Sequence, residues 1–545
     1  MKFLTIVLSF LIIHASFANT SEKLGNPNAP KDGTYNYRLG SFPPTINPFT
    51  YTDVYAAEVH SYTLESLCDR NIETYDWQPR LAKSWVEAKD GKSITFTLRD
   101  GVKWHDGKAL TAEDIKFTFE AITDKDDKYK TARLKPYYEN IKSVEILAPN
   151  KVQFNIKTVY FGNFSTAAGM SILPKHIYLD TSKKNLKKLN KSIIGTGPYV
   201  LKKYKRGKKI ELVRNSSWWG KDDPMFKPLY NFKKIRMKVS KDDNLTLTLL
   251  EKEKLDFIGL TAEQFFKKTD GKKWGKEVFK KKYSNKSPKS YGFIGMNLKN
   301  KLFENVNVRR ALYHLLNRPL MIEKFLFGMS VPATGPWYRQ SIYADPNVKP
   351  FIYDPKKALS LLRKEGWSDS DGDMILDKKI DGKKVNFSFT LLEPNKDFEK
   401  YLTIFKEDAK KAGIDIKIKI VEWNTFIKLL DERNFEAVRL GWGGGAIDYD
   451  PKQIWHSDSI AGSGSNFVSY SNKSVDKLID QARKTLNRDE RVKVLRKVYK
   501  QIASDVPYLF LFNAEYNFYG HTRRMKGPKD TYTFGIGTDY WWVSK

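Results

Sequence analysis

The chain is expected to be an α/β protein built of several lobes, and three observations predict it. Its 545 residues are more than one hydrophobic core organises, so two or three domains, or lobes assembled from returning segments, are expected. A helical pattern followed by an alternating one recurs along the chain, which is the order that layers helices on sheets. With 41% hydrophobic and 14% aromatic residues, there is enough apolar material to fill such layers.

The elements follow in order. Met1 to Ala18 carries Lys2, the apolar run Phe3 to Ile13, and small residues at Ser16 and Ala18, which is the pattern of a secretory signal peptide and is too short for a membrane span. The mature chain is expected to start near Asn19, with no lipid anchor because no cysteine follows the apolar run. Cys68 is the single cysteine, so no internal disulfide is possible and a small buried hydrophobe is its expected role. Asn26 to Tyr51 is rich in Pro, Gly and Asn, with Gly33 to Leu39 as a first strand and Ser41 to Pro44 as a break. Tyr55 to Cys68 reads as a helix. Trp85 to Glu87 and Ser93 to Leu98 read as a hairpin turning at Asp90-Gly91. After a turn at Asp106-Gly107, Thr111 caps a helix with Glu113 and Asp114 in its first turn, favourable against the helix dipole.

Further on, Asp354 caps and Pro355 starts a helix with the stripe Ala358, Leu359, Leu361 and Leu362, ended by Gly366. Lys396 to Ala412 reads as another helix closed by Gly413, and Ile414, Ile416, Ile418 and Ile420 then alternate as a half-buried strand leading to Trp423. Val475 to Thr485 and Asp489 to Ser504 read as helices, and Val506 to Phe512 as a buried strand.

Charge and motif content narrow the function. The formal charge of +32 comes from 95 basic against 63 acidic residues. The lysines are scattered among apolar positions with no Arg-rich tail or nucleic-acid module, so they read as solvated surface and no nucleic-acid partner is expected. No later run reaches the roughly 18 apolar residues of a membrane span, so no stable membrane insertion is expected. There is no Walker loop, no H-E-x-x-H, no G-x-S-x-G elbow and no Rossmann fingerprint, which argues against an enzyme. A secreted hydrolase with residues brought together by folding stays as the rival from another class. His60, His105, His176, His314, His456 and His521 lack metal-ligand spacing, and no cofactor is expected. Asp369, Asp371, Asp373 and Asp377 surround Gly372 as in a calcium loop, but Ile380 stands where the bidentate acid belongs, so an acidic hairpin turn is expected and no metal site.

The stretch from Trp423 to Ser457 concentrates Trp423, Arg439, Trp442, the triplet Gly443, Gly444 and Gly445, then Asp448, Tyr449 and Asp450 before Pro451. Three glycines cost backbone entropy and occur where backbone turns sharply or approaches something closely. A surface turn beside the core strand Ala437 to Trp442 and a ligand site are both open on these residues alone.

Motifs elsewhere carry a resemblance. Leu81-Ala82 with Trp85, the run from Asp90-Gly91 through Thr95-Phe96, Leu98-Arg99 and Gly101 to Gly107, and Thr111-Ala112 with Asp114 resemble the signature of the family 5 extracellular solute-binding proteins of ABC transporters, the oligopeptide and dipeptide group. Ile172 to His176, Gly195 to Tyr199, Trp218-Trp219, Asn297 to Leu312 and Asn317-Arg318 follow in that family's order. The resemblance implies a periplasmic binding protein type II-like fold of class C, with two large lobes on a hinge and an extra third lobe. Lobe I would take 19–57, 186–283 and 515–545, lobe II 58–185 and lobe III 284–514. It also implies a monomeric periplasmic protein that captures an extended ligand, first of all a short peptide, and delivers it to the permease subunits. Opines, oligosaccharides and metal chelates are the alternatives within the family.

The same resemblance makes Trp423, Trp442 and Arg439 crevice residues, with core packing and an internal ion pair as the other readings. Phe42, Asn47 and Pro48 would face the ligand backbone, and Gly195 to Pro198 would serve a crossing between lobes or the lobe I scaffold. Peptide-binding members fix the ligand amine with an aspartate three residues after the tryptophan of a Gly-Trp pair. Here that pair is Gly441-Trp442 and the third residue on is Gly445. Asp448 could serve instead if the glycines bulge the loop, or it could be a turn residue bonding its own backbone.

Overall fold

The computed structural model describes residues 24–51, 53–131, 134–461 and 464–544. The signal peptide expected at 1–18 lies outside them. Three main sheets organise the rest. A seven-stranded sheet runs in the order Val278–Tyr283, Asn517–Thr522, Phe257–Leu260, Thr34–Leu39, Lys234–Val239, Lys209–Arg214 and Tyr199–Lys205. Its middle strand, Thr34–Leu39, pairs parallel with both neighbours, Tyr35 opposite Ile235 and Tyr37 opposite Phe257. A six-stranded sheet runs Ser330–Pro332, Tyr508–Ala514, Tyr291–Met296, Ala437–Trp442, Ser388–Glu393 and Asp415–Ile420. A four-stranded antiparallel sheet, Ala82–Glu87, Ser93–Leu98, Lys151–Ile156 and Ile141–Ala148, packs against the helix Ala112–Thr123. One buried core joins the seven- and four-stranded sheets, and a separate one fills the six-stranded unit. Between the seven- and six-stranded sheets the chain crosses twice, through 284–290 and through 515–516.

The local signals act as expected at most elements. Thr111 and Asp114 form a reciprocal capping box at the start of Ala112–Thr123. The Asp354 carboxylate accepts the Lys357 N–H at 3.0 Å, and Pro355 occupies the first helical turn of Pro355–Lys364. Three readings need correction.

The helix expected from Tyr55 to Cys68 is Val54–Thr63, and Cys68 opens a short strand, Cys68–Arg70, paired with Trp77–Pro79. Tertiary packing stops the helix: the Thr63 carbonyl accepts the Gly197 N–H at 3.1 Å, and a β-carbon on Gly195 would lie 1.8 Å from that oxygen. Only glycine admits so close a crossing. The helix expected from Lys396 to Ala412 is split into a 3₁₀ turn, Lys396–Phe398, and the helix Glu399–Lys411. The strand after it, Asp415–Ile420, lies at a sheet edge, so its apolar face fades from buried Ile416 to Ile420, which is 41% exposed.

The acidic run around Gly372 is a turn. Asp369 accepts the Gly372 and Met374 N–H groups, and Lys384 pairs with Asp371 and Asp377. Asp377 also accepts Ser370, away from the exposed Asp369, Asp371 and Asp373.

Candidate functional site

Two loops of the six-stranded unit build one wall of a crevice. The crossing segment 284–290 enters the strand Tyr291–Met296, and the glycine triplet leaves the neighbouring strand Ala437–Trp442. Because Tyr291 lies opposite Trp442 in that antiparallel pair, both loops emerge at the same end of the sheet. A β-carbon on Gly444 would fall 2.4 Å from the Pro288 carbonyl oxygen, while Gly445 holds a φ of +64°. The triplet therefore lets two backbones touch and turn, which side chains would prevent.

The opposite wall belongs to the seven-stranded sheet: Tyr35, Tyr37 and Arg38 from its middle strand, 257–259 beside them, and the segment 535–538. The space between the walls measures about 640 Å³. A side pocket of about 190 Å³ opens next to it, lined by Tyr291, Trp337, Tyr338, Trp442, Gly443 to Gly445 and Tyr449. Lys289 and Gly444 line both spaces. A more open groove of about 1170 Å³ shares Asn285 with the crevice and continues along 529–533, so the whole site is elongated.

Trp442 is half-buried, its ring stacked near Phe293 (centroids 6.1 Å, planes at 23°) and Phe467 (6.0 Å, 12°). Such offset stacking fixes the indole as a flat wall of the side pocket. With the glycine triplet and Tyr449, Trp442 lines the side pocket, whereas Arg439, Trp423, Phe42, Asn47 and Asp448 lie outside these spaces. Arg439 pairs with buried Glu393 at 3.4 Å and lies 3.3 Å over the Phe398 ring, so it is committed to an internal ion pair and cation–π contact. Burial there pushes the Glu393 carboxyl up to about 7 and the Arg439 guanidinium below its usual range. Trp423 opens the helix Trp423–Asp431, 50% exposed and stacked on Phe426. Phe42 packs edge-on against Tyr204, and buried Asn47 closes a turn by accepting the Phe49 N–H at 3.1 Å.

Asp448 is a network centre. It accepts the Tyr343 hydroxyl at 2.6 Å and faces Arg70 at 3.4 Å, Arg488 at 3.3 Å and Arg491 at 3.6 Å. Arg70 stands on the hairpin Cys68–Arg70/Trp77–Pro79, where its guanidinium lies 3.8 Å over the Trp77 ring. The neighbouring Asp450 meets Arg483 at 3.0 Å and accepts the Lys452 N–H. Both aspartates thus hold the loop to the surrounding protein rather than facing the crevice.

Sequence reasoning missed Tyr35, Tyr37, Asn285 and Lys289. Ser287-Pro288-Lys289 beside a strand start was a readable turn signal, and Gly535 with Gly537 was a readable glycine pair. The pairing of these distant segments was not.

This architecture has known counterparts. Residues 76–462 match the family described as bacterial extracellular solute-binding proteins, family 5 Middle. The chain belongs to this family.

It is 31% identical to the oligopeptide-binding protein AppA of Bacillus subtilis (strain 168), covering 99% of this chain and 98% of that protein. The solved structure of AppA from Bacillus subtilis in complex with a nonapeptide superposes with a TM-score of 0.74 at 30% identity, covering 95% of this chain and 100% of that one. NikZ from Campylobacter jejuni, solved in complex with Ni(L-His), gives a TM-score of 0.74 at 25% identity over 93% of this chain and 99% of its own. The family 5 protein is accordingly a multi-lobed α/β solute-binding protein and not an enzyme. No helix among the described residues is long and apolar enough to cross a membrane.

Proposed function

We propose that the protein is the periplasmic solute-binding component of an ABC importer, which captures an extended solute, first of all a short peptide, and delivers it to the permease. The observation that carries this reading is the crevice itself. Its walls come from two sheets with separate cores, joined by only the two crossings at 284–290 and 515–516 among the described residues. Few connections and an open seam are what hinge closure needs. Lobe I, 19–57 with 186–283 and 515–545, and lobe III, 284–514, close on the solute as a monomer, with 58–185 as lobe II. Closure removes water from both sides of the solute and strengthens its polar contacts. The elongated groove suits an extended chain, and the relative AppA was solved with a nonapeptide.

The test is mass spectrometry of whatever leaves the purified protein on gentle denaturation, with thermal-shift titration of a peptide pool. Peptides released, and a melting temperature raised by peptides, are expected. A preparation that releases nothing and responds to no peptide, opine, oligosaccharide or metal chelate overturns the reading.

A further inference from the structure

Lys289 is the one lysine among the described residues that is buried, at 6% exposure. Its ammonium donates to the Asn285 side-chain oxygen at 3.1 Å, and no carboxylate among the described residues pairs with it. An ammonium out of water without a counter-ion is expensive, and burial accordingly holds its pKa below the usual lysine range. Lys289 also lines both the main crevice and the side pocket, and no aspartate or glutamate lines either space. The other cation there, Arg38, already meets Asp243 at 2.8 Å. Buried donors in the side-pocket wall, the Tyr291 hydroxyl and the Trp337 indole N–H among them, have no hydrogen-bond partner among the described residues.

We propose that the solute is fixed through an anionic oxygen group, a carboxylate, that pairs with the Lys289 ammonium at the junction of crevice and side pocket. This rests on the solute-binding reading above and sets the polarity of the site. The acidic residue nearest in sequence to the glycine loop, Asp448, is occupied by Tyr343 and three arginines, so the loop presents no free anion to a solute amine. A buried ammonium without a carboxylate partner, in a crevice lined by no acidic side chain, gains a strong charge-assisted bond when a carboxylate arrives. A peptide C-terminus and a small organic acid both offer that chemistry.

The experiment is calorimetric titration of the wild type and Lys289→Met with trialanine, its C-terminal amide, its N-acetyl derivative and succinate. For a peptide carboxylate, amidation weakens binding tenfold or more, acetylation changes it less than threefold, and Lys289→Met abolishes the preference for the free acid. For a small-acid solute, succinate binds the wild type and not Lys289→Met. Removing a buried charge leaves the unliganded melting temperature equal or higher, which separates lost binding from lost fold. Equal affinity for trialanine and its amide, or loss of binding on acetylation, overturns the proposal while leaving the solute-binding reading intact. If the wild type binds no probe and releases a ligand that lacks an anionic group, the proposal alone falls; if it binds and releases nothing, both fall.

Discussion

Gly444 stands so close to Pro288 that a β-carbon on it would lie 2.4 Å from the Pro288 carbonyl oxygen. That contact packs the loop after Trp442 directly on the segment carrying Lys289. Gly444→Ala forces them apart, with an overpacking cost of about 1–3 kcal/mol. Solute affinity is expected to fall tenfold or more, measured by intrinsic fluorescence titration. Gly443→Ala is the packing control, because a β-carbon there meets nothing within 4 Å and the melting temperature is expected to stay unchanged.

Trp442 closes the side pocket with its indole face, between Phe293 and Phe467. Its truncation removes the wall without emptying a core, since the ring is only half-buried. Trp442→Ala is therefore expected to weaken solute binding tenfold or more while costing less than the roughly 3–5 kcal/mol of a fully buried tryptophan. Titration calorimetry and a denaturant melt on the same preparation check both halves. Unchanged affinity would remove Trp442 from the site.

Asp448 sits where the glycine loop meets the hairpin of Arg70, and its contacts there predict a structural role. Asp448→Asn leaves Arg70, Arg488 and Arg491 crowded without their shared anion. A loss of about 1–3 kcal/mol in stability is expected for such a partly buried cluster. Solute affinity should change by less than threefold. An amine anchor would behave oppositely, with affinity falling a hundredfold or more and stability almost unmoved, so one variant read by melt and by titration decides between the roles.

The layers of this fold were legible because they rest on local chemistry. The Thr111 cap, the Asp90-Gly91 turn and the Asp354-Pro355 helix start each satisfy backbone groups within a few residues. The candidate crevice was legible only where the chain pays for an unusual backbone, at Gly443 to Gly445. Lys289 gave no sign because it is one of many lysines in a basic chain, and its meaning lies in what is missing around it once the chain has folded. Arg439 and Trp423 lie outside the crevice for the converse reason. Residue type suited a crevice, but Glu393 claims the arginine and Trp423 begins an exposed helical turn. The first helix, expected to run on to Cys68, likewise ends early through a distant partner, since Gly195 and Gly197 cross at Thr63.

Stability should depend on pH through His60. This side chain is buried on the helix Val54–Thr63, its Nε2–H donates to the Ile46 carbonyl at 2.9 Å, and the Tyr51 ring meets it edge-on at 4.7 Å. Burial lowers its pKa from 6.5 to about 4, against smaller opposing effects of that carbonyl and Asp53. Unfolded chains take up a proton at this histidine below pH 6.5, whereas the folded protein resists until about pH 4. In that window the unfolded state binds more protons, so stability present above pH 6.5 is lost as pH falls, by up to about 3 kcal/mol. Melting temperature measured from pH 7.5 down to 4 should decline for the wild type. In His60→Gln, which can keep the donor to Ile46 but cannot titrate, the decline should be shallower by about that amount. Parallel curves for the two proteins would assign the acid sensitivity to carboxylates instead.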